Sequence, residues 1–292
     1  MSSTMRQCAS CKRNLPQSSY QSYQYSIGAG ASQCATCILG HQATYTLSAC
    51  DRDGGRYNKA DEMMINQYDL DHPFAHGSFR HVAKGTYSKG HRTGQTGVVK
   101  WFKSGATFEV DYFILDITAV DKALEIMNRF NQAYPDLQNI RINVPGTWVF
   151  ADGERKGERA LVEPFIENYR KYNSNTGWAD VSTTWGQILQ ALSHFSYAES
   201  GGQFLLCDLQ GGINSNEVIL SDPAIMSVDG MYGISDLGHD GMSSFFSHHR
   251  CNNWCHPHWM KPRQIVRAYA AVPHTTMIQS TRSARPDMLR RP

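Results

Sequence analysis

The apolar positions of this chain fall into two patterns, one helical and one of short runs, and together they predict an alternation of strands and helices. Between residues 107 and 134, Phe108, Tyr112, Leu115, Ala119, Ala123, Ile126 and Phe130 recur at three- and four-residue steps, the spacing of one buried helical face. This predicts an amphipathic helix pair or one long, interrupted helix, stopping at Tyr134 because Pro135 disfavours a helical residue before it. Trp185, Ile188, Leu189 and Leu192 repeat the spacing, with His194 near that helix's end. Short apolar runs bounded by glycine or polar clusters predict strands: 74–84 as strand, glycine, strand; 97–102 with Lys100 embedded; 140–144; 148–150; and 160–166 with Glu163 in its middle. Two further runs, 204–207 and 218–220, each deliver an acid at their exit, Asp208 and Asp222.

The segments between are read as connections. Residues 39–72 have mixed polarity and a 51–55 turn cluster, and predict a linker in which Cys50 has no assigned role. Residues 171–177 form a polar turn cluster, and 233–241 place three glycines in nine residues, a loop that bends sharply or approaches something closely. From His274 onward Ser, Thr, Arg and Pro dominate without an apolar period, which predicts disorder.

Composition narrows the class. Of 292 residues 41% are hydrophobic and 18% charged, so the chain is globular, with room for one good-sized core and a small appended module. A net charge of +2 is too small to imply a nucleic-acid or membrane partner by itself. No apolar run is long enough to span a bilayer and no secretory signal opens the chain, so an intracellular location, cytoplasmic or nuclear, is expected. Eight cysteines in a reducing compartment point to metal binding or burial before disulfides.

Candidate chemistry then attaches to particular residues. Cys8 and Cys11, then Cys34 and Cys37, form paired Cys-x-x-Cys knuckles, the arrangement that closes a thiolate tetrahedron around a structural Zn²⁺. The intervening residues are too polar to fold alone, which suits a metal-dependent mini-domain. Lys12 and Arg13 could serve nucleic acid there, although a solvated basic turn is the commoner explanation. A second candidate combines His249, Cys251 and Cys255; it needs a fourth ligand, for which His194 is the first candidate and His248, His256 and His258 are alternatives. Lys100 within an apolar strand calls for a charged partner such as nucleotide phosphate, or else lies on a solvent-facing edge. Asp208, Gln210 and Asp222 on one sheet rim offer oxygen donors suited to Mg²⁺ and phosphate chemistry.

In order along the chain, several motifs resemble the α-kinases, the atypical protein kinases that include myosin heavy-chain and elongation-factor kinases. The resemblance spans roughly residues 74–260 and rests on Phe-Ala-x-Gly-x-x-Arg (74–80), Val-x-Lys (98–100), Glu-x-Phe-Ile (163–166) and Lys-Tyr-Asn-x-Asn (171–175). His-Phe-Ser-Tyr, Asp-Leu-Gln-Gly, Asp-Pro-Ala-Ile, Asp-Leu-Gly-x-x-Gly and His-x-Cys-x-x-x-Cys follow in family order. It implies a bilobal α+β kinase fold; together with the cysteine knuckles and the composition of the flanking segments, the expected organisation is a small N-terminal zinc-finger-like module at 1–40, a linker at 41–70, the catalytic domain at 71–262 and a mostly disordered basic tail at 263–292.

The resemblance also implies roles. Lys100 would contact the α- and β-phosphates with Arg80 nearby, Glu163 would lie at the adenine end, and Lys171 and Asn175 would support the phosphate end. Asp208 would be the catalytic acid facing the substrate hydroxyl, with Gln210 and Asp222 holding Mg²⁺. The 233–241 loop would help bind protein substrate, and His194, His249, Cys251 and Cys255 would hold zinc. Asn168, where the family often has glycine, Ser221 in place of threonine, and the His-Pro-His-Trp segment after Cys255 depart from the pattern. The expected function is therefore an ATP- and Mg²⁺-dependent serine/threonine protein kinase. The alternative is a silent kinase-like scaffold whose zinc finger recruits protein or nucleic acid, against which the intact Lys100, Asp208, Gln210 and Asp222 speak.

Overall fold

A computed structural model describes residues 5–35, 37–38, 44–49, 60–77, 79–105, 107, 113–214 and 217–272. The chain begins with a small hairpin of β1 (Met5–Gln7) and β2 (Asn14–Pro16), followed by a single helical turn, α1 (Ser22–Ser26). Its buried apolar content is Cys8, Tyr20 and Cys34, with Leu15, Tyr25 and Cys37 packed alongside. Half of that cluster is thiol. So little apolar area cannot hold a module together unaided.

The next strands close on themselves. β3 (Thr44–Ala49) and β4 (Ala60–Asn66) lead through the short helix α2 (Gln67–Asp71) to β5 (Ala75–His76), β6 (Arg80–Gly90) and β7 (Thr96–Phe102). After helix α3 (Ile114–Ala133) and β8 (Ile140–Ile142) come β9 (Gly146–Phe150) and β10 (Arg159–Pro164). Antiparallel pairings run β3–β4, β4–β6, β6–β7, β7–β10, β10–β9 and β9–β3, which is a closed barrel with β5 appended to β6. The expected linker at 41–70 is therefore corrected: its described part supplies two barrel staves. Leu47, Ala60, Met63 and Ile65 from those staves pack inside with Tyr87, Val99, Trp101, Trp148 and Phe150.

Alternation along the barrel wall positions the chemistry. In β7, Val99 and Trp101 point inward, and in β10, Ala160 and Val162 do. Their neighbours Lys100 and Glu163 consequently take the outer face. That face is not solvent. It is covered by the second lobe, leaving Lys100 5% exposed and Glu163 2% exposed, so the edge-strand reading of Lys100 is excluded.

The predicted 107–134 helical stretch is one helix, α3, with Ala119, Ala123, Ile126 and Phe130 buried; Phe108 and Tyr112 lie outside the described residues. It stops before Tyr134, which caps it by donating its backbone N–H to the Phe130 carbonyl. In the second lobe, β11 (Arg170–Lys171) precedes α4 (Thr184–Glu199), whose N-cap Thr183 accepts a hydrogen bond from the Gly186 N–H at 3.1 Å. Then β12 (Phe204–Cys207), β13 (Gln210–Ile213), β14 (Val218–Ser221) and β15 (Ala224–Ser227) form two nested antiparallel pairs, β13–β14 inside β12–β15.

Two boundaries differ from the sequence reading. The predicted 233–241 loop ends early, because α5 (Gly238–His248) starts within it. The predicted disordered tail holds fixed chain up to residue 272: Ser243 Oγ accepts from Val266 N–H at 2.7 Å and Ser244 Oγ from Tyr269 N–H at 3.1 Å. Residues 273–292 lie outside the described residues. Among the described residues no helix is long and apolar enough to cross a membrane.

Candidate active site and metal clusters

Between the lobes lies a cleft of about 300 Å³ whose lining includes Arg80, Lys100, Lys171, Asp208, Gln210 and Asp222. Three cations and three oxygen-bearing side chains come from six separate elements and corners. On the barrel side Lys100 Nζ contacts the carboxylates of Glu163 and Asp222 and donates to Ser221 Oγ at 3.3 Å. Ser221 Oγ in turn donates to Glu163 Oε1 at 2.9 Å.

Burial opposes every charge in this cluster, and the partners decide which charges persist. For Lys100 burial is the largest influence and lowers the pKa, but Asp222 and Glu163 outweigh it and hold the ammonium above its ordinary value. Burial likewise raises Asp222, yet Lys100 leaves it below the ordinary carboxylate value. Glu163 ends above it, through burial first and the neighbouring Asp222 charge. Lys100 and Asp222 thus favour each other's charged forms, while burial and the Asp222 charge work against that of Glu163.

Across the cleft, Asp208 is fully buried and forms an ion pair with Lys171. Gln210 Nε2 donates to Asp208 Oδ2 at 3.2 Å and to the Asp222 carbonyl at 3.4 Å. Burial, only partly offset by Lys171, pushes the Asp208 carboxyl up to about 6. Both acids occupy strained backbone, with φ of 57° at Asp208 and 49° at Asp222. Left-handed values are uncommon outside glycine, although aspartate and asparagine tolerate them best, and they gather at functional sites.

The remaining candidate residues divide. Arg80 donates to Asp116 at 2.7 Å and lies over the Phe102 ring at 4.9 Å, while its buried Nε has no partner. That donor is available to an anion in the cleft. Glu163, expected at the adenine end, has its carboxylate on Lys100 and Ser221 instead. Asn175, expected at the phosphate end, is fully buried and does not line the cleft; its Nδ2 donates to the Ser235 carbonyl at 3.1 Å, beneath the cleft-lining loop. Asn168 has φ of 53°, which explains how glycine and asparagine can share that position. Ser221, in the sequence only a departure from the family pattern, is the bridge between Lys100 and Glu163.

The donor sets suit the groups expected of them. Cations for phosphate stand beside apolar Val82, Phe102 and Leu161, and carboxylate and amide oxygens are the hard donors that Mg²⁺ takes. His249 Nε2 lies 3.2 Å from His194 Nδ1, with Cys251 Sγ 3.7 Å from His194 Nδ1 and Cys255 Sγ 3.7 Å from His249 Nε2. Tetrahedral zinc bonds of about 2.0 Å to nitrogen and about 2.3 Å to sulfur imply edges of about 3.3 Å between nitrogens and about 3.5 Å between nitrogen and sulfur. The observed spacings match. His194 Nε2 faces the Met260 carbonyl at 3.1 Å, which fixes that nitrogen as the protonated one and leaves Nδ1 for a ligand. Among the described residues, His194 is the histidine whose ligand atom gathers with those of His249, Cys251 and Cys255, all within 4.8 Å of one another, while His256 and His258 are exposed. Trp259, part of the unfamiliar segment after Cys255, walls the cluster at 5.3 Å from His194.

In the N-terminal module Cys8 and Cys37 sulfurs are 3.7 Å apart, and Cys11 and Cys34 sulfurs 4.0 Å. The Cys34 N–H points at Cys8 Sγ at 3.3 Å. Burial raises the Cys8 thiol, but backbone N–H groups of Cys34, Cys11 and Ser10 outweigh it and bring Cys8 down to about 6, toward the thiolate that a metal requires. The module fits a four-thiolate site.

Comparison with known proteins agrees with this geometry. The model of the Alpha-kinase family matches residues 75–255. Alpha-protein kinase 1 of Dictyostelium discoideum is 35% identical over 190 residues, covering 63% of this chain and 13% of that protein. Eukaryotic elongation factor 2 kinase of Caenorhabditis elegans is 44% identical over 96 residues, covering 32% of this chain and 12% of the relative. The chain therefore spans only a small part of these curated relatives. Among solved structures, an α-kinase of Entamoeba histolytica superimposes with a TM-score of 0.58 at 21% identity, covering 82% of this chain and 98% of that one. An inactive α-kinase domain of myosin-II heavy chain kinase A complexed with ATP gives 0.56 at 19% identity, over 73% and 95% of the two chains.

Proposed function

The chain belongs to the α-kinase family, and from that premise we propose that it is an ATP-dependent protein kinase that transfers the γ-phosphate to serine or threonine hydroxyls. The observation that carries this reading is the facing pair of ion clusters, Lys100 with Asp222 and Lys171 with Asp208, across one cleft. Bound ATP with Mg²⁺ supplies the phosphoryl group and neutralises its charge. Lys100, Arg80 and Lys171 would bind phosphate oxygens, while Gln210 and Asp222 would hold the cation. Asp208 would orient the incoming hydroxyl and accept its proton. Phosphoryl transfer asks chiefly for positioning and charge neutralisation, and these residues supply both. Transfer of labelled phosphate from ATP to a generic basic protein tests the reading; wild type no more active than Lys100→Ala would overturn it and favour a silent scaffold.

The buried carboxyl gives a pH signature. Asp208 must be ionised to accept a proton, and its pKa is raised to about 6. Activity is expected to be full near pH 8 and to fall as the pH drops through about 6. A kcat profile flat down to pH 4.5 would count against Asp208 as proton acceptor.

Zinc is the metal proposed for both cysteine-containing clusters, in a reducing intracellular setting where the thiols remain free. About two zinc ions per chain are expected by elemental analysis, one per four-ligand site. Because metal binding in such sites is folding free energy, His194→Ala should release one ion and lower the Tm of the main domain. A folded, metal-free protein would exclude the assignment. The cellular substrate is expected to be a protein; the N-terminal module is the place where a further protein or nucleic acid could be recruited.

A further inference from the structure

The residue between Asp208 and Gln210 is held from outside its own strand. Leu209 donates its backbone N–H to Asn173 Oδ1 at 2.8 Å, and its carbonyl accepts from the N–H groups of Tyr172 at 2.8 Å and Asn173 at 3.2 Å. Asn173 is 1% exposed. Its Nδ2 donates to Gln190 Oε1 at 3.1 Å and to Ser193 Oγ at 2.9 Å, both on α4. One side chain therefore fastens the Leu209 peptide to the helix that also carries His194. Leu209 itself is buried among the residues of the second-lobe core.

This clamp acts where the backbone most needs it. Asp208 is in the left-handed region, a conformation that costs on the order of 1–3 kcal/mol and persists only when its surroundings impose it. The next peptide carries the Leu209 N–H. With Asn173 removed, that buried N–H loses its acceptor, and the chain can recover a hydrogen bond only by turning the peptide. Turning it changes ψ of Asp208 and φ of Leu209, and so swings the Asp208 carboxylate, while the Leu209 carbonyl stays held by the backbone N–H groups of Tyr172 and Asn173.

We propose that Asn173 is a positioning residue for phosphoryl transfer, holding the Asp208–Leu209 peptide so that the Asp208 carboxylate faces the cleft. The inference rests on the kinase reading above and deepens it. Asn173 does not line the cleft. Its effect therefore falls on the chemical step and not on nucleotide binding, which Lys100 and Arg80 retain.

Asn173→Ala should lower kcat about 100-fold, the effect of misplacing a reacting group by about an ångström, with the KM for ATP within about threefold of wild type. Asn173→Asp separates positioning from folding. A carboxylate still accepts the Leu209 N–H, and its second oxygen meets an amide that can flip and a hydroxyl that can rotate to donate. It also buries a charge, so its Tm should fall at least as far as that of the alanine variant. The expected order of kcat is wild type, Asp, Ala, whereas the order of Tm places Asp level with Ala or below it. Rates are taken per nucleotide-binding site, so unfolded protein does not count.

If kcat follows Tm through the series, or if Asn173→Ala keeps kcat within twofold, the inference fails. Should the alanine variant not fold, Ser193→Ala, which removes one of the two anchors, must lower kcat severalfold without changing the KM for ATP; an unchanged kcat there also overturns it. Failure of the kinase reading is distinct, since wild type itself would then transfer no phosphate.

Discussion

Asp208→Asn is expected to lower kcat about 10³-fold, within the range that general acid–base groups supply, while the protein keeps its fold and its affinity for ATP. Asparagine preserves the size and planarity of the side chain and can still accept from Gln210. It cannot take a proton from a substrate hydroxyl. The stability side distinguishes this from structural damage. Because the folded carboxyl titrates near 6, above an unfolded aspartate at about 3.9, the stability linked to its protonated form is full below the unfolded value. It is lost as the pH rises through 6. At pH 8 the ionised Asp208 is therefore a net cost, relieved by a neutral amide. Loss of the Lys171 ion pair works the other way but is the smaller influence, since burial outweighs it in setting the pKa. Single-turnover transfer from labelled ATP together with a melting curve at pH 8 checks the prediction: kcat collapses and Tm does not. An unchanged kcat would remove Asp208 from the chemistry.

The second large effect concerns where the catalytic unit begins. The family match starts at residue 75, yet a chain cut there lacks β3 and β4. Those staves bring Leu47, Met63 and Ile65 into the barrel core, and fully burying such side chains contributes about 1.5–3 kcal/mol each. Together that is on the order of 5–9 kcal/mol, comparable with the whole stability of a typical domain. Opening the barrel also leaves β6 and β9 with unpaired edges, an invitation to aggregation. Deleting residues 1–70 is expected to give protein with no cooperative melting transition and no nucleotide binding. Deleting residues 1–40 should remove one zinc and leave folding and phosphotransfer within about threefold. Cooperative melting of the shorter chain would show that the staves are dispensable.

The two results also mark how much was legible beforehand. The acids of the cleft were legible because they sit at strand exits, where a polar residue interrupts an apolar run. Lys100 could not be placed by its own strand, since alternation permits an outward lysine; closure of the barrel and docking of the second lobe decided it. β4 escaped notice for a local reason. Ala60 and Met63 both point inward although they are three residues apart, because the β4–β6 register shifts between them and so breaks the period of two.

The start of α5 was hidden by composition, as glycine at 238 and 241 argues against helix. Packing required it there: a Cβ at Gly241 would lie 2.3 Å from Met226 Sδ. Asn173 has a backbone peptide as its partner, which leaves no pattern in the side chains. His194 is the first candidate for the fourth ligand both by its residues and by the resemblance, and the distances to His249 and Cys251 bring it, rather than the neighbouring histidines, into the cluster.

The nested hairpins have one more consequence. Cys207 is paired with Ala224 and Gln210 with Ser221, so the two-residue corners carrying Asp208 and Asp222 lie opposite each other where one strand pair gives way to the next. The spacing of the acids is thus measured across the ladder and does not depend on chain length around the connecting turn. A residue added to the turn between Ile213 and Val218 would leave the acids in place, whereas one residue gained at either corner would flip the side-chain alternation beyond it. Divergence in this stretch has a free end and a forbidden middle.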